Sequence, residues 1–225
     1  MRGVAFDEYG GPEVLTLRDD LPDPPVGPDT VLVRVHAAGV NPVDVLIRSG
    51  GLTGAYPHHL PIVPGWDVAG IVEAVGPAVT AFAAGDEVFG YVRRDDVQWG
   101  TTAELVPAPQ RCLAHKPESL SFAEAAGLPL AGLTAYQSLT EALDIGEGDR
   151  VLVHRASGGV GFNAVQIAVA LGAHVVGTAS PPCRISRSTG LTALARTRTS
   201  TVSGPTGGSG RSSRRVRTSG PPNSS

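Results

Sequence analysis

Val151-Leu-Val-His-Arg-Ala-Ser-Gly-Gly-Val-Gly161 is the stretch that most constrains what this chain can fold into. Val151 to Val153 is a short β-branched and aliphatic run, the pattern of a buried strand. Ala156-Ser157-Gly158-Gly159-Val160-Gly161 is a glycine turn. Phe162 to Leu171 then places Ala164, Val165, Ile167, Ala168 and Leu171 at helical spacing. Gly172 ends that helix, and His174 to Thr178 begins a second strand. Strand, glycine turn, helix, strand is the opening unit of a dinucleotide-binding (Rossmann) fold.

The chemistry of such a unit asks for these residue types. Gly158 lets backbone approach a pyrophosphate with no side chain in the way. Gly161 lets the helix sit close on its strand, and the free N–H groups of the first helical turn meet the phosphate charge. Ala156 stands where a first glycine is usual. The candidate cofactor contacts are therefore Ala156, Ser157, Gly158, Gly159, Val160 and Gly161, with Thr178 and Ser180 at the end of the second strand. In a chain with 29 glycines the competing reading is an ordinary turn. An NAD site wants an acid about 20 residues on, to hold the ribose hydroxyls. Gly177, Thr178, Ala179 and Ser180 supply none, which favours NADP(H), whose 2′-phosphate a carboxylate would repel.

Composition divides the chain. Residues 1–180 hold all 21 acids and 10 of the 18 basic residues, a net charge of −11, whereas residues 181–225 hold eight arginines and no acid. Ser, Thr, Gly, Pro and Arg make up 36 of those last 45 residues. Such a segment buries too little apolar surface to offset its ordering entropy, so disorder is the expectation there. Cys112 and Cys183 have no metal or redox spacing, and a reducing cytoplasm is the natural setting. No charged-then-apolar signal segment opens the chain, and no apolar run of about 18 residues is long enough to span a membrane.

Residues 1–120 read as all-β. Strands are predicted at Gly3–Phe6, Val14–Leu17, Val31–Ala38, Val68–Val75, Glu87–Val92 and Ala103–Val106, punctuated by Gly, Pro and Asp clusters. That pattern predicts a small barrel or sandwich. One short helix is expected over Asn41–Ser49. From Ser121 the period changes: Ser121 and Glu124 form a capping-box pattern, and Leu130–Leu143 predicts a longer helix. The expected organisation is a β domain over 1–120, a partial Rossmann domain over 121–180 and a disordered tail over 181–225.

A family resemblance rests on several motifs in order: Gly10-Gly11-Pro12-Glu13-Val14-Leu15, Gly39-Val40-Asn41-Pro42-Val43-Asp44, Pro64-Gly65-Trp66-Asp67-Val68-Ala69-Gly70, Gly85-Asp86-Glu87-Val88, Gly132-Leu133-Thr134-Ala135-Tyr136, and His154 through Gly161. Residues 1–180 resemble the zinc-independent medium-chain dehydrogenases/reductases of the quinone oxidoreductase, or zeta-crystallin, branch. The resemblance implies a GroES-like β domain packed on a Rossmann domain. NADPH would lie between them and pass hydride to a quinone or a similar conjugated carbonyl. An enoyl or alkenal reductase of the same superfamily is the alternative within that class. Full-length members are implied to be homodimers, and the break in pattern after Ser180 argues against one for this chain.

Zinc-dependent relatives carry Cys in the slot of Asn41 and a His-Glu pair in the slot of Trp66-Asp67. Asn, Trp and Asp build no Cys/His zinc site, so no metal is expected. Without a metal, rate acceleration comes mainly from holding donor and acceptor together. Asn41 and Asp44 are the candidate catalytic residues. The matching position in the family has Asn41 hydrogen-bonding the substrate carbonyl or the nicotinamide edge; its local alternative is a turn before Pro42. Asp44 is expected to orient Arg48 or to pair locally. Thr134 matches a threonine that contacts cofactor in relatives. A tyrosine often found two residues after the Asp is Leu46 here.

The pattern of the family stops at Ser180. The tail has three candidate origins: an arginine-rich arm that binds nucleic acid or an acidic partner, which would make the chain a non-enzymatic binding protein, a linker, or out-of-frame translation of a GC-rich gene. The abrupt change inside a fold favours the last, and makes nucleic acid an unfavoured partner. A sheet of only two strands is then expected, with weak or absent NADPH binding and negligible turnover.

Overall fold

The computed structural model describes residues 1–180 together with the backbone of a short strand at 191–193. The chain opens with strands β1 (Gly3–Ala5) and β2 (Thr16–Arg18), paired antiparallel. The expected strand from Val14 starts later because Pro12–Val14 closes a 3₁₀ turn, with the Glu13 carboxylate accepting the Gly11 N–H at 2.7 Å. A long strand β3 (Thr30–Gly39) follows, then helix α1 (Pro42–Arg48), strand β4 (Asp67–Val75) and strand β5 (Glu87–Tyr91). Strand β6 (Leu105–Pro109) and strand β7 (Leu113–His115) complete a five-stranded antiparallel sheet in the order β6-β3-β4-β5-β7. Strand β7 was not foreseen. Its three residues carry no alternation and depend on backbone pairing with β5.

Val31, Val33, Val68, Val72, Val88 and Val106 form the core of this sheet, each at most 2% exposed. Their alternation with outward residues is the period-2 pattern legible in sequence. Two register shifts interrupt β3, one at Leu32/Val33 and one at Val35/Ala37. Such irregularities bend a strand and increase its twist. A second cluster, Phe6, Ile47, Ile62, Trp66 and Val97, packs α1 against the first strands.

Ser121 caps helix α2 (Phe122–Ala126), and its reciprocal bonds with Glu124 form the predicted capping box. Helix α3 (Pro129–Gln137) ends earlier than the apolar spacing predicts, continuing as a π turn over Ser138–Ala142. Thr134, Ser138 and Thr140 each donate a hydroxyl to the carbonyl four residues back, at 2.7, 2.6 and 2.8 Å. Such back-bonding competes with the helical ladder and loosens it. Strand β8 (Arg150–Val153), helix α4 (Gly159–Ala170) and strand β9 (His174–Gly177) follow as the glycine turn predicts.

One expectation is corrected. The parallel sheet has three strands, not two, in the order β10-β9-β8, because β10 (Leu191–Ala193) pairs in parallel with β9. An open parallel edge offers a full row of N–H and C=O groups, and pairing with it needs no side-chain periodicity. The remaining tail residues, and the disorder expected of them, lie outside the described residues. No helix among the described residues is long and apolar enough to cross a membrane.

Ile47 is fully buried in the cluster that seats α1. Ile47→Ala is expected to cost about 2–5 kcal/mol, read as a lower urea midpoint of the circular dichroism transition.

Candidate functional site

The register of β3 on β4 pairs Gly39 with Asp67. Two residues beyond Gly39 the chain turns at Asn41, in extended conformation, and enters α1. Asn41 and Asp67 are thereby neighbours although 26 positions apart, and the Asn41 Nδ2 donates to Asp67 Oδ2 at 2.9 Å. The Leu130 N–H, in the first turn of α3, donates to the same carboxylate at 3.0 Å to Oδ1 and 3.3 Å to Oδ2. Asp67 is 2% exposed. Burial pushes its carboxyl up from 3.8 to about 6, the two donors pull against that, and the Asp44 charge adds to it.

Asp44 is the third residue of α1 and accepts the Asn41 N–H on Oδ2 at 2.7 Å. Its other oxygen is buried with no hydrogen bond. Burial raises its carboxyl above the ordinary carboxylate range, and the backbone of Asn41 and Gly65 partly offsets this. The expectation that Asp44 orients Arg48 is corrected: the Arg48 Nε donates to the Gly10 carbonyl at 3.2 Å. The carboxylate folds back onto the start of its own helix, where it accepts an otherwise unpaired N–H, and the half-buried Arg48 is held by the Gly10 carbonyl.

Beside this pair lies an aromatic group that sequence reasoning missed. Trp66 meets Tyr56 and Tyr91 edge to face, with centroids 6.3 and 5.9 Å apart. The Arg93 Nη1 donates to the Tyr56 hydroxyl at 2.8 Å. Burial pushes the Tyr91 hydroxyl up to about 12. Asp67 was noticed only for the zinc it would not bind. The available signal was a charge opening an otherwise apolar run, Asp67-Val-Ala-Gly-Ile-Val72, since an acid on the buried face of a strand calls for a reason.

The glycine turn is built from inside. Arg155 adopts positive φ, 54°, and its carbonyl accepts the Gly158 N–H at 2.8 Å. A Cβ on Gly161 would overlap that same Arg155 carbonyl oxygen, so Gly161 is required for α4 to sit this close. Ala156 is buried against Gly177, where an added Cβ would meet its methyl at 2.8 Å. Gly158 and Gly159 face outward: a Cβ on Gly159 would meet only the Ala131 methyl, at 3.9 Å. Gly158 gives α4 no side-chain cap, so the N–H groups of Gly159, Val160 and Gly161 begin the helix unmatched. Ser157 and Val160 are exposed beside them. This open, uncapped start of a twelve-residue helix fits a pyrophosphate.

Thr178 spends its hydroxyl on the turn, accepting the Arg155 N–H at 3.3 Å and meeting His154 Nδ1 at 3.2 Å, and Ser180 is exposed. Thr134 is exposed one turn along α3, its hydroxyl donated to the Leu130 carbonyl. The first turn of α3 thus borders both halves of the candidate site: the Leu130 N–H is bonded to Asp67, and the Ala131 methyl lies 3.9 Å from where a Cβ on Gly159 would stand. Among the described residues no three His, Cys, Asp or Glu side chains are grouped to hold a metal.

Residues 27–118 match the alcohol dehydrogenase GroES-like domain. The described residues are a GroES-like β domain followed by part of a Rossmann fold. In sequence the chain is similar to the quinone oxidoreductase of Homo sapiens, 45% identical over 179 residues, which are 80% of this chain and 53% of that protein. Among solved structures it resembles an NAD-dependent alcohol dehydrogenase at TM-score 0.73 and 42% identity, covering 80% of this chain and 58% of that one. It also resembles a mycobacterial protein solved in complex with NADPH, at TM-score 0.69 and 38% identity, covering 81% and 54%. The chain spans about half the length of the curated relatives it matches.

Because the buried Asp67 carboxyl is raised to about 6, the folded chain holds a proton that the unfolded chain releases nearer 3.8. Its contribution to stability is complete below about pH 4 and lost as pH rises through 6. Asp67→Asn does not ionise. Its urea stability relative to wild type is therefore expected to improve between pH 4 and pH 7, by on the order of 2–3 kcal/mol.

Proposed function

We propose that this chain derives from a zinc-independent, NADPH-dependent oxidoreductase that reduces a quinone or a similar conjugated carbonyl. The observation that carries this reading is the first turn of α3. It sets the Leu130 N–H on the Asp67 carboxylate that holds Asn41, and it places the Ala131 methyl on the side of Gly159 where a side chain would stand. A phosphate cradle and a polar amide therefore border one helix start, the arrangement hydride transfer between a dinucleotide and a carbonyl requires.

In this reading the bound cofactor supplies the hydride, and the protein supplies position. The N–H groups of Gly159, Val160 and Gly161 hold phosphate, with Ala156, Ser157 and Gly158 shaping the turn. Asn41 offers an amide hydrogen bond to the substrate carbonyl or to the nicotinamide edge. Thr134 lies one turn further along α3 as a cofactor contact. Asp44 acts on Asn41 through its backbone N–H. Selection of NADPH over NADH rests on Thr178 to Ser180, which carry no acid, next to His154 and Arg155. The Asn41, Trp66 and Asp67 triplet, with no Cys or His among them, supports the zinc-free reading.

The described part of the Rossmann sheet supplies three strands, and Leu152 and Phe162 beside it are exposed. NADPH is accordingly expected to bind the 225-residue chain with a Kd above about 10 μM, weaker than about −7 kcal/mol, with negligible turnover. NADH is expected to bind more weakly still. Fluorescence titration with each nucleotide measures both. Equal or tighter NADH binding contradicts the cofactor assignment, and micromolar NADPH binding contradicts the expected weakness.

A second outcome concerns the turn itself. Gly161→Val drives a side chain into the Arg155 carbonyl and is expected to abolish nucleotide binding. The five-stranded sheet, followed by near-ultraviolet circular dichroism of Trp66 and Tyr91, is expected to stay folded.

A further inference from the structure

We propose that Asp67 is the positioning residue for Asn41, fixing the amide with its nitrogen inward and tying it to the first turn of α3. This rests on the reading that Asn41 meets the reactants. An amide presents a donor end and an acceptor end that are nearly the same size, so packing alone does not choose between them. The partner chooses here. An ionised carboxylate has acceptors only, so the atom facing Asp67 Oδ2 at 2.9 Å is the amide nitrogen. One amide N–H is spent on Asp67, the amide oxygen faces the Asp44 N–H in a capping box, and the other N–H is left for a ligand.

The same carboxylate also acts as a remote cap. Leu128, at the N-cap of α3, makes no side-chain cap bond, and the first turn of a helix carries unmatched donors. The Asp67 carboxylate accepts from one of them, the Leu130 N–H, and its charge suits the positive end of the helix. Asn41 on the β-domain side and α3 on the Rossmann side are thereby registered to one side chain. Removing the carboxylate frees the amide to turn over and releases Leu130 together.

Protonation has the same effect, because a neutral carboxyl has a donor of its own to point at Asn41 or Leu130. The groups facing Asp67 are Asp44 from α1, whose charge raises it, and Tyr91 from β5, neutral at ordinary pH. Arg93, beyond β5, is turned to Tyr56, and α3 carries no charged residue. Asp67 is therefore the titrating group that meets the Asn41 amide directly, beside the Asp44 N–H of the capping box.

The test follows the Asn41 side-chain amide and the Leu130 N–H by nitrogen-15 NMR in the full 225-residue chain, from about pH 4.5 to 8. Both signals are expected to titrate together with a midpoint near the raised Asp67 value of about 6. Asp67→Asn should abolish that titration. Asp44→Asn should keep it with a lower midpoint, because a like charge has been removed. Millimolar NADPH at pH 7.5 is then expected to shift Gly158 to Gly161 in both wild type and Asp67→Asn, but to shift Asn41 in wild type only. An Asn41 amide that does not titrate, or that responds to NADPH equally in Asp67→Asn, overturns the proposal. No response at the glycine turn overturns the proposed function alone, and the ligand-free pH titration still decides the role of Asp67. Should Asp67→Asn fail to fold, the wild-type and Asp44→Asn titrations decide it.

Discussion

A carboxylate taken out of water needs donors, and the placing of those donors around Asp67 organises the middle of this molecule. The amide of Asn41 and the N–H of Leu130 come from segments 26 and 63 positions away. Neither is a cation. Two neutral donors only partly offset the loss of hydration, which is why the carboxyl titrates near 6 instead of 3.8. A charge held at such cost is retained at functional positions more often than at purely structural ones. Replacing one donor with an apolar group would leave the other to hold a buried anion alone.

The convergence depends on backbone approach as much as on side chains. Gly39 pairs with Asp67 across the β3–β4 ladder, and a Cβ there would stand 2.5 Å from the Ala126 carbonyl and 2.9 Å from the Asp67 Cβ. Helix α2 therefore packs onto β3 only because position 39 is bare. Since Leu128 to Leu130 follow directly from α2, the same close packing delivers the Leu130 N–H to Asp67. Even a small side chain at this one place would push α2 away and separate the two donors of the carboxylate. The glycine acts on the site without touching a ligand.

Much of this is legible in the sequence. The β domain followed from period-2 runs between Gly and Pro clusters, and the strand, turn and helix around Gly161 followed from local composition. The capping box at Ser121 did too, because its two partners are three residues apart. What escaped is what depends on distance in sequence. Asp67 reads locally as one acid before an apolar strand, and only the register of β3 shows that it meets Asn41. Asp44 was open between Arg48 and a local partner, and the N–H groups at the start of this seven-residue helix decide for the local one. Strand β10 was missed for a related reason: the edge of β9 recruits it by backbone pairing, with no side-chain pattern to read.

In the described Rossmann part some features are braced by their own elements and others lie open. The glycine turn is braced from within, by Gly161 on the Arg155 carbonyl and by Ala156 on Gly177, and these contacts involve only β8, α4 and β9. On the outer side, Leu152 of β8 and Phe162 of α4 are 57% and 60% exposed, so no described residue covers that edge and face. A phosphate cradle needs only the inner bracing, because its ligands are backbone N–H groups fixed by the turn. Adenine and nicotinamide need walls, since the free energy of holding a flat ring comes from removing its faces from water. The same turn thus retains the geometry of charge recognition while contributing little of the apolar enclosure that makes such recognition tight. Phosphate recognition and tight binding separate here for a physical reason: the first is local to β8, α4 and β9, and the second needs apolar walls around the rings.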